Sequence, residues 1–414
     1  MTLAWVATNA RDGAVLADLP YLECSSVKRS IGRYEPASAS LPLPNAPENW
    51  ELATREGGAN LILLDNEVPI WGGMVTQCLP DLTDNLPLSL ATIESYLDRR
   101  ITGDVTYTGV GQNDIVADLF ARFVVTGPLG GIPFRIVYST PGPGALRDRA
   151  YLRTDRKTVY SALTELSAVL GGPEWTVEWE WQHNPERITP VLYVGDRVGT
   201  PVTPGLAPAA TFEAPGCIIA AVQTRDYSSG KGANSVIAYS SATSGTVPTS
   251  LAQVGPDDGR PTFEVDIQPS TSITDIATLT AHAQSALATL APGGSALAMS
   301  AVVMKTAKKP AAPTLGIDWV LGDDVGYSIG GLEVDPRMHD VDVYADTWWP
   351  DDIWPLDDIW GVFTGRERVP VNPNGRQSVP AFPGGISGVM RAIGWELTLD
   401  GVMVVTPILA TIGA

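Results

Sequence analysis

Carboxylates supply most of the chemistry that this sequence could do. Three adjacent pairs stand out: Asp323-Asp324, Asp351-Asp352 and Asp357-Asp358. Paired carboxylates suit calcium, or the two-carboxyl machinery of glycoside hydrolysis. Aspartate also starts turns, because its side chain accepts bonds from backbone amides close by. Turn chemistry is the reading favoured for Asp323 and Asp324. His183, His282 and His339 are too scattered to form a metal-ligand motif. Serine catalysis finds no GxSxG elbow. The glycine-rich run Ser228-Ser229-Gly230-Lys231-Gly232 lacks the GxxxxGK spacing, with Ser or Thr next, of a phosphate loop. A strand follows it, not the helix N-terminus that phosphate needs, so it reads as a solvated hairpin loop. The expectation is a chain with no catalytic, cofactor or metal residue, hence no enzyme.

Aromatic residues carry the second signal. Trp348-Trp349-Pro350-Asp351-Asp352-Ile353-Trp354 runs into Pro355-Leu356-Asp357-Asp358-Ile359-Trp360, a short repeat of Asp-Asp-Ile-Trp. Tryptophan is enriched where proteins meet, so Trp348, Trp349, Trp354 and Trp360 are candidate interface residues packing on a neighbouring subunit. A local aromatic cluster and an exposed surface that stacks on sugars are the alternatives.

The elements that must position these residues are mostly strands. At 414 residues the chain is long enough for two to four domains, and its 41 glycines and 34 prolines favour turns over long helices. Alternation and turn chemistry make residues 1–95 a β domain. Leu3 to Thr8 and Ala14 to Leu19 flank Arg11-Asp12-Gly13; Leu22 to Ile31 and Glu35 to Leu43 follow. Asn60 to Asp65 and Val68 to Leu79 form a hairpin across Asn66-Glu67. Trp71-Gly72-Gly73 suggests a bulge in the second of these strands.

Residues 96–205 read as an α+β insert. Asp114 to Val124 is helical. Thr154 or Asp155 caps a second helix, whose apolar face is Val159, Leu163, Leu166 and Leu170. Glu174 to Gln182 alternates strictly, with Trp175, Val177, Trp179 and Trp181 on one face, expected to pack on that helix. Residues 206–345 return to β with a helix over 273–290. There Gly316 to Leu321 reads as a strand that turns at Gly322-Asp323 into another. Residues 346–414 form a Trp- and Pro-rich connection and a closing hairpin across Asp400-Gly401.

Charge and cysteines bound the setting. The 46 acidic residues outnumber 27 basic ones, for a net charge of −19. No basic patch is visible, which argues against nucleic-acid sequence recognition; the acidic balance suits a cationic partner. Cys24, Cys78 and Cys217 have no framework spacing, which fits reduced thiols made in a cytoplasm. No stretch approaches the ~18 apolar residues of a membrane span, and no secretory signal opens the chain.

Several runs, taken in order, resemble a known family. They are Leu19-Pro20-Tyr21-Leu22-Glu23-Cys24-Ser25-Ser26, Arg29 to Glu35, Trp71-Gly72-Gly73-Met74-Val75, Thr158 to Leu163, Asp318-Trp319 through Val325, and Arg391 to Leu397. Together they resemble minor tail proteins of long-tailed actinobacterial phages, of the tail-hub, baseplate-hub-like kind. The resemblance implies a mainly β fold with an α+β insert: two hub-type β-barrel domains with inserted and C-terminal segments. It implies a homotrimer at the tail tip of the virion, assembled in the host cytoplasm. The implied partners are the distal tail ring protein, the tape-measure protein and other tail-tip proteins. Two rival readings remain: a virion protein binding a host cell-surface glycan or other receptor, and a cell-wall hydrolase.

Overall fold

The computed structural model describes residues 3–168, 171–203, 205–240, 247–269, 275–305, 310–330, 338–345, 362–370 and 385–410. The chain is mainly β with an α+β insert, as its sequence indicates. It forms two compact units, Met1–Ile219 with Ser300–Ala414, and Ala220–Met299.

The larger unit contains an antiparallel seven-stranded sheet. Its spatial order is Val15–Asp18, Leu3–Asn9, Ala59–Asp65, Val68–Cys78, Asn85–Thr92, Pro36–Pro42 and Glu23–Cys24. Every residue of Ala59–Asp65 is buried, as expected of a strand covered on both faces. The turn at Asn66-Glu67 has φ of 46° and 70°, the pair of positive values that joins such strands tightly.

The glycines at 72 and 73 have a different role from the expected bulge. The register shifts opposite Ile70 and again between Val75 and Gln77. Gly72 instead provides space: a Cβ there would stand 2.4 Å from the Trp179 indole. A bare backbone lets the insert's aromatic strand lie directly on the first sheet.

The insert holds Glu174–His183 against Glu186–Gly195, antiparallel, with Arg135–Tyr138 parallel on the far side. Helices Gln112–Phe123 and Val159–Ser167 cover it. Trp175, Val177 and Trp179 share one core with Val159, Leu163 and Leu166, as expected from the sequence; Trp181 packs against it half-buried, and Leu170 lies outside the described residues. That core also takes in Val6, Ile62 and Met74 of the first sheet, so insert and sheet are not separately filled. The second helix is capped one turn later than its sequence suggests. The Thr158 hydroxyl accepts from the Ser161 amide at 3.1 Å, while Arg153–Asp155 is a separate tight turn.

A second sheet in the same unit sets Thr211–Ala214, Asp324–Ile329, Ile386–Thr398 and Val404–Ala410 side by side. Ala301 and Val302 extend it beyond Val405 and Val404. Ser26–Ser30 pairs with Gly394–Thr398. The run Leu22 to Ile31, which reads as one strand, is therefore two. Glu23–Cys24 lies in the first sheet and Ser26–Ser30 in the second, with the switch at Ser25. Gly316 to Leu321 differs from expectation as well. It is a turn, closed by the Gly316 amide on Trp319 O at 2.8 Å and the Thr314 amide on the Asp318 carboxylate at 2.6 Å. Backbone pairing also joins Met338–Ala345 to Val362–Pro370.

In the smaller unit Ser235–Ala238 lies between Gln253–Val254 and Glu264–Ile267. Leu279 and Ala283 of helix Ile276–Leu290 pack on Val236 and Ala238. The loop Ser228–Gly232 is not a hairpin loop, because Ile218–Asp226 and Ser235–Ala238 belong to different sheets.

Candidate functional site

Glu174 begins the insert's aromatic strand, and Arg391 lies within the long strand Ile386–Thr398. Arg391 Nη1 donates to Glu174 Oε1 at 2.5 Å and Nη2 donates to Oε2. Guanidinium and carboxylate thus meet fork to fork, the geometry in which arginine binds carboxylate best. The same Arg391 donates to Val198 O at 2.8 Å and to Gly322 O at 3.1 Å. The Val198 amide donates back to Glu174 Oε2 at 2.8 Å.

The aspartate pair continues this seam. Asp323 accepts from the Thr200 amide at 2.6 Å and the Val320 amide at 2.8 Å. Asp324 accepts from the Val202 amide at 2.9 Å and from Arg197 Nη2. The Val320 bond is the turn chemistry that the sequence favours. The other bonds tie the exit of the insert, residues 197–202, to the second sheet. Backbone passes so close here that a Cβ on Gly322 (φ +96°) would stand 2.3 Å from Val198 O. Every carboxylate of the seam accepts from amides or guanidinium, so the arrangement holds these segments together.

A second polar cluster joins strand Ser26–Ser30 to the same aromatic strand. Buried Arg29 donates to Glu178 Oε2 at 2.7 Å, to Thr176 Oγ1 at 3.1 Å and to Val177 O. Burial alone would lower the Arg29 pKa, but the Glu178 and Glu94 carboxylates together outweigh it and hold the value up. Glu94 is buried nearby; desolvation raises its carboxyl, with Arg29 opposing. A cavity of about 30 Å³ beside Arg29 and Glu178 is walled by Ile70, Leu321 and Trp395.

The other residues singled out from sequence fall apart in space. Trp348, Trp349, Trp354 and Trp360 lie outside the described residues, as do Asp351, Asp352, Asp357 and Asp358. His183 stacks on Trp181 at 5.6 Å, and His282 lies within the helix of the smaller unit. His339 falls in strand Met338–Ala345. Cys24 and Cys217 are buried, Cys78 is half-buried, and none forms a disulfide. Among the described residues no group of three His, Cys, Asp or Glu is placed to hold a metal ion. Among them, too, no helix is long and apolar enough to cross a membrane. Sequence reading missed Arg29, Glu174, Arg197 and Arg391. The available signal was an arginine set among apolar and small residues, Met390-Arg391-Ala392 above all.

This architecture has counterparts among solved structures. A tail protein from Neisseria meningitidis MC58 superposes with a TM-score of 0.50 over 100% of this chain and 98% of its own, at 13% identity. The 43 kDa tail protein of prophage MuSo2 from Shewanella oneidensis does so at 0.51, over 99% and 98%, with 9% identity. The chain thus has the fold of these tail proteins along its whole length. No protein-family model matches the chain, and no curated protein matches it.

Proposed function

We propose that the chain is a structural protein of a bacteriophage tail, without catalytic activity. The observation that carries this reading is the end-to-end likeness in fold to two tail proteins, with nearly full coverage on both sides. The seam around Glu174 and Arg391 agrees with a structural role, since it ties segments far apart in the chain together.

Within that reading the chain is a hub at the distal end of a long tail, in a phage of actinobacteria. The first and second sheets of its larger unit correspond to two hub domains. Three copies, with two such domains each, make a pseudo-sixfold ring that mates with a sixfold tube, and cyclic closure fixes the copy number. The distal tail ring protein, the tape-measure protein and other tip proteins are its neighbours. Trp348, Trp349, Trp354 and Trp360 pack between subunits. Mass measurement on the purified protein over a wide concentration range tests the ring: a trimer supports it, and a monomer throughout removes it. Imaging of intact particles tests the place at the tail tip.

A further inference from the structure

An open slot lies where the first sheet fails to close on itself. Leu3–Asn9 is paired along its full length with Ala59–Asp65, but on its other side the ladder with Val15–Asp18 covers only Val6, Ala7 and Thr8. Beyond that, Trp5 O takes the Leu19 amide, and among the described residues no strand lies along that side of Leu3 and Ala4. At the opposite end of the sheet, Glu23–Cys24 pairs with Ser40 and Ala39 on one side and ends the sheet on the other. Both unfinished edges line one groove of about 680 Å³, together with Leu399 and Asp400. That volume falls within the range of roughly 300–1,000 Å³ typical of ligand sites.

The lining says what fits. Unpaired strand edges take an extended backbone, whose amides and carbonyls complete the ladder. Trp5 and Leu22 form a buried apolar floor that accepts alternate side chains. Glu23 and Asp400 are exposed on the rim, and neither is in an ion pair among the described residues. Two free carboxylates beside an open edge favour a lysine or arginine on the incoming strand and repel an acidic one. This chain's own excess of acidic residues makes a second copy a poor occupant.

We propose that this groove binds an extended segment of another protein, bearing a basic residue, as an added strand of the first sheet. The inference rests on the groove and does not depend on the ring.

The test uses the full-length protein and three fluorescent heptapeptides of alternating Val and Thr. One carries a central Lys, one a central Glu, and one the Lys with alternate amides N-methylated. Anisotropy should show binding of the Lys peptide, roughly tenfold or more weaker binding of the Glu peptide, and none of the N-methylated one. Glu23→Lys and Asp400→Lys, both at exposed positions, should each abolish the preference for the Lys peptide, and the double variant should reverse it toward the Glu peptide. On the unaltered protein, the Lys peptide should also slow alkylation of Cys24, a reading that survives if a variant folds poorly. Equal binding of Lys and Glu peptides, retention of the N-methylated peptide, or no binding with Cys24 unprotected overturns the proposal. So does a change in oligomeric state in Glu23→Lys that no peptide affects, which would assign the groove to a second copy.

Discussion

Glu174 and Arg391, 217 residues apart in the chain, meet fork to fork and join the insert's aromatic strand to the second sheet. Both are largely shielded, with side chains 26% and 15% exposed. Removing one partner from such a pair strands the other's charge; the cost is 3–5 kcal/mol when burial is complete. Partial exposure reduces this, so Glu174→Ala should lower stability by about 2–3 kcal/mol. Arg391→Lys should also lose stability, because a lysine cannot reproduce the fork. Replacing both, Glu174→Leu with Arg391→Met, should recover most of the loss. Chemical denaturation of the four proteins checks this; a double variant no better than the singles would show that the pair does more than balance charge.

Gly72 is where the first sheet admits Trp179. Gly72→Val should cost at least about 1–3 kcal/mol, the usual range for forcing atoms into a packed core. The damage should include the insert, because the indole that must move belongs to it. Thermal melts with near-ultraviolet circular dichroism report both the loss and the altered tryptophan environment. An unchanged spectrum would show that the sheets part without disturbing Trp179.

Glu94 gives a pH dependence with a definite sign. Desolvation raises its carboxyl pKa in the folded protein above the ordinary 4.5, against the opposing pull of Arg29. A raised value means the fold prefers the protonated form. Its stabilising contribution is full below pH 4.5 and is lost as pH rises through the folded value. Glu94→Gln, which stays neutral, should therefore match the unaltered protein near pH 4 and exceed it at pH 7.5. Melting temperatures at the two pH values decide it, and a variant less stable at pH 7.5 would assign Glu94 a needed negative charge beside Arg29.

Burial pushes the Cys24 thiol up to about 11. Only the thiolate reacts with maleimide. Labelling of Cys24 in the native protein should therefore be slow at pH 7 and rise about tenfold per pH unit up to pH 9. Mass spectrometry of the peptide that carries Cys24 follows it. A plateau near pH 8.5 would mean an ordinary, solvated thiol.

Local signals made most strands legible. Asn66-Glu67 and Asp400-Gly401 marked hairpins because short turns demand particular residues. The strict alternation from Trp175 to Trp181 gave both the strand and its buried face. What local pattern could not give was partnership. Nothing between Leu22 and Ile31 says that the chain changes sheets at Ser25, since both halves have strand character. Gly316 to Leu321 alternates like a strand, yet the Asp318 carboxylate closes it into a turn. The seam was invisible for the same reason. Glu174 reads as one more polar residue on a solvated face until the fold brings Arg391 to it.

The change of sheet at Ser25 has a consequence for biosynthesis. Val27 and Arg29 find their strand partners in Leu397 and Trp395, far along the chain. The nascent chain must keep the strand Ser26–Ser30 unsatisfied until Ile386–Thr398 has been made, and contacts this distant form slowly. A polypeptide released before Ile386–Thr398 would therefore show the sticky, unpaired edge of Ser26–Ser30, marking it for chaperones or proteolysis.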